Sequence, residues 1–261
     1  MNRRLPRTAL VLAGTRPGGD PLAAHAGVSH KALIEVGGEP MLARVLRALA
    51  GVPAIERIAV VIDDPAVLAS LGECGKPVQR LEPAAGPSAS VAAALETLGT
   101  PLLVTTADHA LLRPEWIEEF LAADSGDADA QIAVARREAV LQAAPDSQRT
   151  WWHFSDGDFS GCNLFQLRTP AAAGVVQLWQ RLEARRKQPI AQLRLLGIRH
   201  VLSYRLGLLS LPQALERLGA LTGARVAPVV LSDGRAAIDV DKPSDLDLVR
   251  RMLAGPDSGG I

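Results

Sequence analysis

Apolar residues along this chain follow two periods in alternation. Short apolar runs at 9–13 and 101–106 fit buried strands, the stretches 55–62, 130–136, 225–231 and 236–240 read as further strands, and 77–81 could be another. Between them the spacing lengthens to that of helices. Residues 40–49 place Leu42, Val45, Leu46 and Leu49 on one face, with Pro40 able to open the helix and Gly51 to end it. Asp63-Asp64-Pro65 turns the chain into a short helix ending near Gly72. Residues 88–98 read as a helix capped by Ser88, and 114–122 as an amphipathic one. The acids after Ala237 open a last helix that runs to about Leu253. Strand and helix alternate with connections of the length that parallel crossovers need. The pattern predicts a three-layer α/β/α, Rossmann-like architecture around a mostly parallel sheet.

The alternation breaks after Val140. Residues 150–154 and 159–167 flank Asp156-Gly157, a short-range hairpin signal, and predict an inserted antiparallel pair. Residues 171–218 read as helices in pieces, broken at Pro189, Gly197, Gly207 and Pro212. Arg181, Arg185, Arg186, Lys187, Arg194 and Arg199 make that segment basic. A solvated face, a wall that attracts a phosphorylated substrate, a homodimer surface and a membrane-surface helix are the readings open for it. The expectation is one domain over 1–254, with 140–218 as its hairpin and helical insertion and 255–261 as a flexible tail.

Composition narrows the class. Of 261 residues, 48% are hydrophobic, enough for a sizeable core. Lys plus Arg number 28 and so do Asp plus Glu, so no net field draws the chain to nucleic acid or to a membrane. Aromatics are 3% of the chain, too few for a surface that stacks single-stranded nucleic acid. Cys74 and Cys162 suggest neither a disulfide scaffold nor a zinc site and read as reduced thiols. Arg3, Arg4 and Arg7 before an apolar run imitate a signal peptide, but the run is short and glycines follow it. No apolar stretch has transmembrane length, and the location expected is cytoplasmic.

The candidate chemistry lies at strand ends. After the strand at 9–13 comes a loop with Gly14, Gly18 and Gly19, then Lys31, then a tight turn at Gly37-Gly38. Glycines let a ligand approach backbone N–H groups, and a lysine beyond them offers a fixed positive charge to phosphates. The loop is neither a Walker loop nor a dinucleotide fingerprint. The strand at 101–106 delivers Asp108 to its carboxyl end, where ligands sit in open α/β sheets and where a carboxylate can hold a divalent metal.

Leu12-Ala13-Gly14, Lys31 and the Gly38, Pro40, Met41, Leu42 group resemble the glycine-loop signature of the MobA-like NTP transferases. These share the GT-A fold, and the family includes molybdenum-cofactor guanylyltransferase and related sugar and cofactor nucleotidyltransferases. The loop departs from the signature at Thr15-Arg16-Pro17-Gly18-Gly19, and His30 stands where the family has proline. The resemblance extends to Ser90-Val91, to Ala107-Asp108, to Ser160-Gly161-Cys162-Asn163 and to Asp239-Val240-Asp241. It implies that Leu12, Ala13, Gly14, Thr15, Gly18, Ser90 and Ala107 receive the nucleotide. It implies that Lys31 and Arg16 offset phosphate charge, and that Gly161 and Asn163 adjoin the acceptor. Asp108 with Asp241 or Asp239 would hold magnesium, Mg2+. The activity implied is transfer of a nucleoside monophosphate from a nucleoside triphosphate to a phosphorylated small-molecule acceptor, with release of pyrophosphate. A GT-A glycosyltransferase using a nucleotide sugar, and a catalytically silent nucleotide-binding module, are the alternatives.

Overall fold

The computed structural model describes residues 7–15, 18–185, 188 and 197–254. Arg16, the charges at Arg3, Arg4, Arg186, Lys187 and Arg194, the break at Pro189 and the tail at 255–261 lie outside the described residues.

Strand β1 (Thr8–Leu12) is the axis of the sheet. Its Ala9, Leu10 and Val11 are fully buried, and the period of two sends Ala9 and Val11 to one core and Leu10 to the other. A strand with helices on both faces needs apolar residues at every position, which is why this run does not alternate with polar ones. On one side β1 pairs in parallel with β4 (Arg57–Val61), which pairs with the edge strand β5 (Val78–Leu81). On the other side it pairs in parallel with β6 (Leu102–Thr106).

Beyond β6 one strand, β9 (Gly157–Leu167), is reversed. It runs antiparallel to β6 and to β7 (Ala130–Arg136), and the edge strand β10 (Val226–Leu231) runs parallel to β7. The order is β10-β7-β9-β6-β1-β4-β5, with the short β8 (Trp152–Phe154) paired to β9. The mostly parallel sheet and the Asp156-Gly157 hairpin therefore match expectation. The hairpin is no peripheral insertion, however: its second strand is an internal strand of the main sheet. A separate two-residue ladder, β2 (Glu35–Val36) with β3 (Glu39–Pro40), turns at Gly37 and Gly38 with φ of 59° and 76°. A side chain is strained in that region of φ, so the turn favours glycine.

The helices fill both faces. α1 (Pro21–His25), absent from the apolar pattern, is a short turn in the glycine loop, and Asp20 caps it by accepting from the N–H groups of Leu22 and Ala23. α2 (Met41–Ala50) follows Pro40, which stands at its N-cap. α3 (Pro65–Ser70) is capped by Asp64. α4 (Pro87–Leu98) takes Gly86 as its N-cap; Ser88 lies inside the helix and donates to Glu183 instead. α5 (Pro114–Ala122) and α6 (Arg137–Ala143) flank β7 in the chain. α7 (Ala173–Ala184) packs on α4, α8 (Ile198–Arg205) follows, and α9 (Leu211–Thr222) is opened by Pro212 in its first turn rather than broken by it. α10 (Pro243–Ala254) closes the described chain.

The strand expected at 236–240 does not form. Gly234–Ala237 makes a 3-10 turn, with Asp233 accepting from the Arg235 N–H. Gly234 lies so close to α6 that a Cβ there would meet the Ala139 backbone at 2.2 Å. The turn is pressed against a helix, and the chain beyond it is anchored to the Asp108 carbonyl through the Val240 N–H at 3.0 Å. Among the described residues no helix is long and apolar enough to cross a membrane.

Candidate active site

The carboxyl ends of β1, β4 and β6 point to one side of the sheet, and each carries a candidate group. β1 releases the glycine loop, which two backbone bonds hold in place. Ala13 N–H donates to the Val61 carbonyl, and Ala107 N–H donates to the Leu12 carbonyl, both at 2.9 Å. Gly14 is exposed, and a Cβ added to it would touch Pro83 of the β5–α4 loop at 3.5 Å. Gly18 is exposed at a φ of 95°. Ser90 is buried, and its Oγ accepts from the Ala84 N–H at 3.0 Å, so it shapes the loop that faces Gly14.

Lys31 lies in a 3-10 turn (Lys31–Leu33) whose N-cap is His30. Its Nζ donates to Asp108 Oδ2 at 2.8 Å and to Asp241 Oδ1 at 3.1 Å. Three residues from the start, middle and end of the sequence meet there. Burial alone would lower the Lys31 pKa, but Asp108 first and Asp241 second outweigh it and hold the ammonium above its ordinary value. The lysine stays charged at any neutral pH.

Asp108 has a second feature. Its Oδ1 is buried without a hydrogen-bond partner, and so are the hydroxyls of Thr15 and Thr106 at the ends of the same strands. Buried polar atoms are nearly always partnered in folded proteins, and these three, with Thr105 and His109 next to them in the chain, are exceptions gathered at the carboxyl ends of β1 and β6.

Asp239 and Asp241 part company. Asp241 is largely exposed and faces Lys31. Asp239 is buried: one carboxylate oxygen accepts from Arg149, and the other accepts from Asn163 Nδ2 at 2.5 Å. Burial raises the Asp239 carboxyl above its ordinary value; Arg149 opposes the rise, while the charges of Asp108 and Asp241 add to it. Asn163 adopts a φ of 47°, left-handed backbone that asparagine tolerates, where β9 shifts register against β7. Gly161, which keeps regular pairing with Val134, lies beside the Trp152 ring, 3.3 Å from a Cβ built on it.

Arg149 was not singled out by the sequence. It lies in a stretch without period, and nothing in its spacing announces a partner 90 residues away. Asp63 was read only as a turn former. Its neighbour Asp64 does cap α3, but Asp63 reaches back to the glycine loop and accepts from the Thr15 N–H at 3.0 Å.

Among the described residues no group of three or more His, Cys, Asp or Glu gathers to hold a metal by protein ligands alone. Magnesium does not need one: it commonly takes one or two carboxylates and completes its shell with water and substrate phosphates. Asp108 and Asp241 both bond the Lys31 ammonium, and the oxygens they leave over, the orphaned Oδ1 of Asp108 and the exposed carboxylate of Asp241, fit that demand.

The MobA-like NTP transferase domain matches residues 9–231. Among solved structures, a hypothetical transferase from Thermus thermophilus is 30% identical, with a TM-score of 0.78 over 93% of this chain and 100% of that one. CMP:2-keto-3-deoxy-manno-octonic acid synthetase complexed with CTP is 14% identical, with a TM-score of 0.59 over 95% of this chain and 99% of that one. The 4-diphosphocytidyl-2C-methyl-D-erythritol synthase from Anaerococcus prevotii is 12% identical, with a TM-score of 0.56 over 93% of each. The last two likenesses are of fold. Comparison with curated proteins gives no match.

Proposed function

This chain belongs to the MobA-like NTP transferase family, and on that premise we propose that it transfers a nucleoside monophosphate from a nucleoside triphosphate to a phosphorylated small-molecule acceptor, with release of pyrophosphate. One observation carries the reading: Lys31 Nζ lies between Asp108 and Asp241 beside a glycine loop open to solvent. That a synthetase of the same fold is known as a CTP complex agrees with the use of a triphosphate.

An anionic oxygen of the acceptor phosphate attacks the α-phosphorus of the triphosphate in line. The new P–O bond forms as the bond to pyrophosphate breaks. The nucleophile is already an anion, so no side chain has to remove a proton. Catalysis is then positioning and charge neutralisation. Exposed backbone at Gly14 and Gly18 lets the phosphates approach, and Lys31 offsets the charge that grows on the transferring group. Asp108 and Asp241 would hold Mg2+, which when bound supplies charge neutralisation between the phosphates. Asp239 acts behind them, fixed by Arg149 and Asn163. The acceptor approaches from the β9 side, where Gly161 presents its backbone.

A thermal-shift screen with GTP, CTP, ATP and UTP, each with and without magnesium, tests the binding half. A ligand at about 100 times its dissociation constant adds roughly 2.7 kcal/mol to the folded state. One triphosphate should stabilise selectively and only with magnesium. Stabilisation by a nucleotide sugar alone would overturn the reading.

A further inference from the structure

The glycine loop and the lysine turn are separate pieces of chain, and one carboxylate oxygen joins them. Asp63 Oδ1, at the end of β4, accepts from the Thr15 N–H at 3.0 Å and lies 3.3 Å from His30 Nε2. His30 is buried, and its Nδ1 accepts from the Ala32 N–H at 3.1 Å. A nitrogen that accepts is bare, so the proton of the neutral ring is on Nε2 and points at Asp63. The chain of bonds therefore runs from the glycine loop, through a carboxylate and an oriented imidazole, into the turn that carries Lys31.

Proline fixes a chain by its ring. This chain cannot use that device without moving, because His30 has a φ of −146° and proline requires about −65°. The imidazole replaces a rigid ring with two directed hydrogen bonds.

We infer that Asp63 and His30 are positioning residues that set Lys31 at a fixed distance from the phosphate-binding loop. The inference deepens the function proposed above and rests on it for the word phosphate. The mechanical link itself does not depend on that reading.

Two variants separate the link from local capping. His30→Asn keeps an acceptor for the Ala32 N–H, as asparagine does at an N-cap, but is too short to reach Asp63. Asp63→Ala removes the shared acceptor, whereas Asp63→Asn keeps an amide oxygen in its place. Amide hydrogen exchange on the unliganded protein reads the 3-10 turn through the N–H groups of Leu33 and Ile34, which donate to His30 and Lys31 carbonyls and not to Asp63. Exchange at both should quicken about tenfold in Asp63→Ala and in His30→Asn, stay near wild type in Asp63→Asn, and leave core amides unchanged. Triphosphate affinity should fall about tenfold in Asp63→Ala, and adding that change to Lys31→Ala should weaken binding no further, because the two act through one group.

Wild-type exchange at Leu33 and Ile34 in Asp63→Ala would overturn the inference, whatever the nucleotide results. Additive losses in the double variant would overturn it too. Quickened exchange in a protein whose wild type binds no triphosphate would uphold the link and reject the function.

Discussion

Neighbouring acids at the end of the chain do different work, and the difference follows from what each touches. Asp239 is buried against Arg149, so Asp239→Ala leaves a guanidinium uncompensated and should cost about 3 kcal/mol in urea unfolding. Asp241 is exposed, and among the described residues it bonds through Lys31 and its own backbone. Asp241→Asn should leave stability within about 0.5 kcal/mol while lowering magnesium-dependent turnover by about 100-fold. The reverse pattern would exchange their roles. His109, the residue after Asp108, gives a pH signature. It is fully buried, stacked on Trp116 with ring centroids 6.2 Å apart, and burial pulls its pKa from 6.5 down to about 4. Between those values the unfolded chain binds a proton that the folded chain refuses. The contribution is therefore complete above pH 6.5 and is lost as pH falls toward 4, about 3 kcal/mol in all. Urea unfolding of wild type and His109→Phe at pH 7 and pH 4.5 should show a flatter response in the variant; equal slopes would remove His109 from the account. Lys31, Asp108 and the pair Asp239/Asp241 could be named from the sequence, Asp108 because it follows an apolar strand and the others because they stand in short recognisable motifs, although the motif leaves the choice between Asp239 and Asp241 open. Arg149, Asp63 and His30 could not, because a long-range polar partner leaves no period in the chain.

At the scale of the element, strands β1, β4 and β6 and helices α2, α4 and α5 were readable because continuous or 3.6-spaced apolar runs are bounded by Gly, Pro and Asp. The place of β9 was not. Periodicity gives a strand's length but not its neighbours, and a hairpin signal at Asp156-Gly157 is the same whether the pair hangs from the sheet or completes it. The apolar residues of 236–240 failed for a different reason. They are buried in contact with helix and loop, and burial by itself does not make a ladder. The turn that carries this segment is held by close approach: at Gly234 a side chain would collide with the backbone of α6. Gly234→Ala should cost about 2–4 kcal/mol and shift Asp239 and Asp241 together, so both stability and turnover fall. Full activity in a stable Gly234→Ala protein would mean the turn does not set the acids.

At the scale of the molecule, the sheet brings to one edge a loop from residue 14, a lysine from 31 and acids from 108 and 241. A mostly parallel order gathers carboxyl ends on one side, and β9 is the one internal strand of the sheet that runs the other way. That convergence supports the central claim of nucleotidyl transfer, and pyrophosphate release tests it most directly. Wild type, Asp108→Ala and Lys31→Ala would each be incubated with magnesium, the triphosphate that stabilises the fold, and a set of phosphorylated small molecules. Wild type should release pyrophosphate with at least one acceptor, and Asp108→Ala, still folded, should be slower by about 100-fold or more. Pyrophosphate release that persists undiminished in Asp108→Ala, or its absence from wild type with every triphosphate and acceptor, would contradict the account.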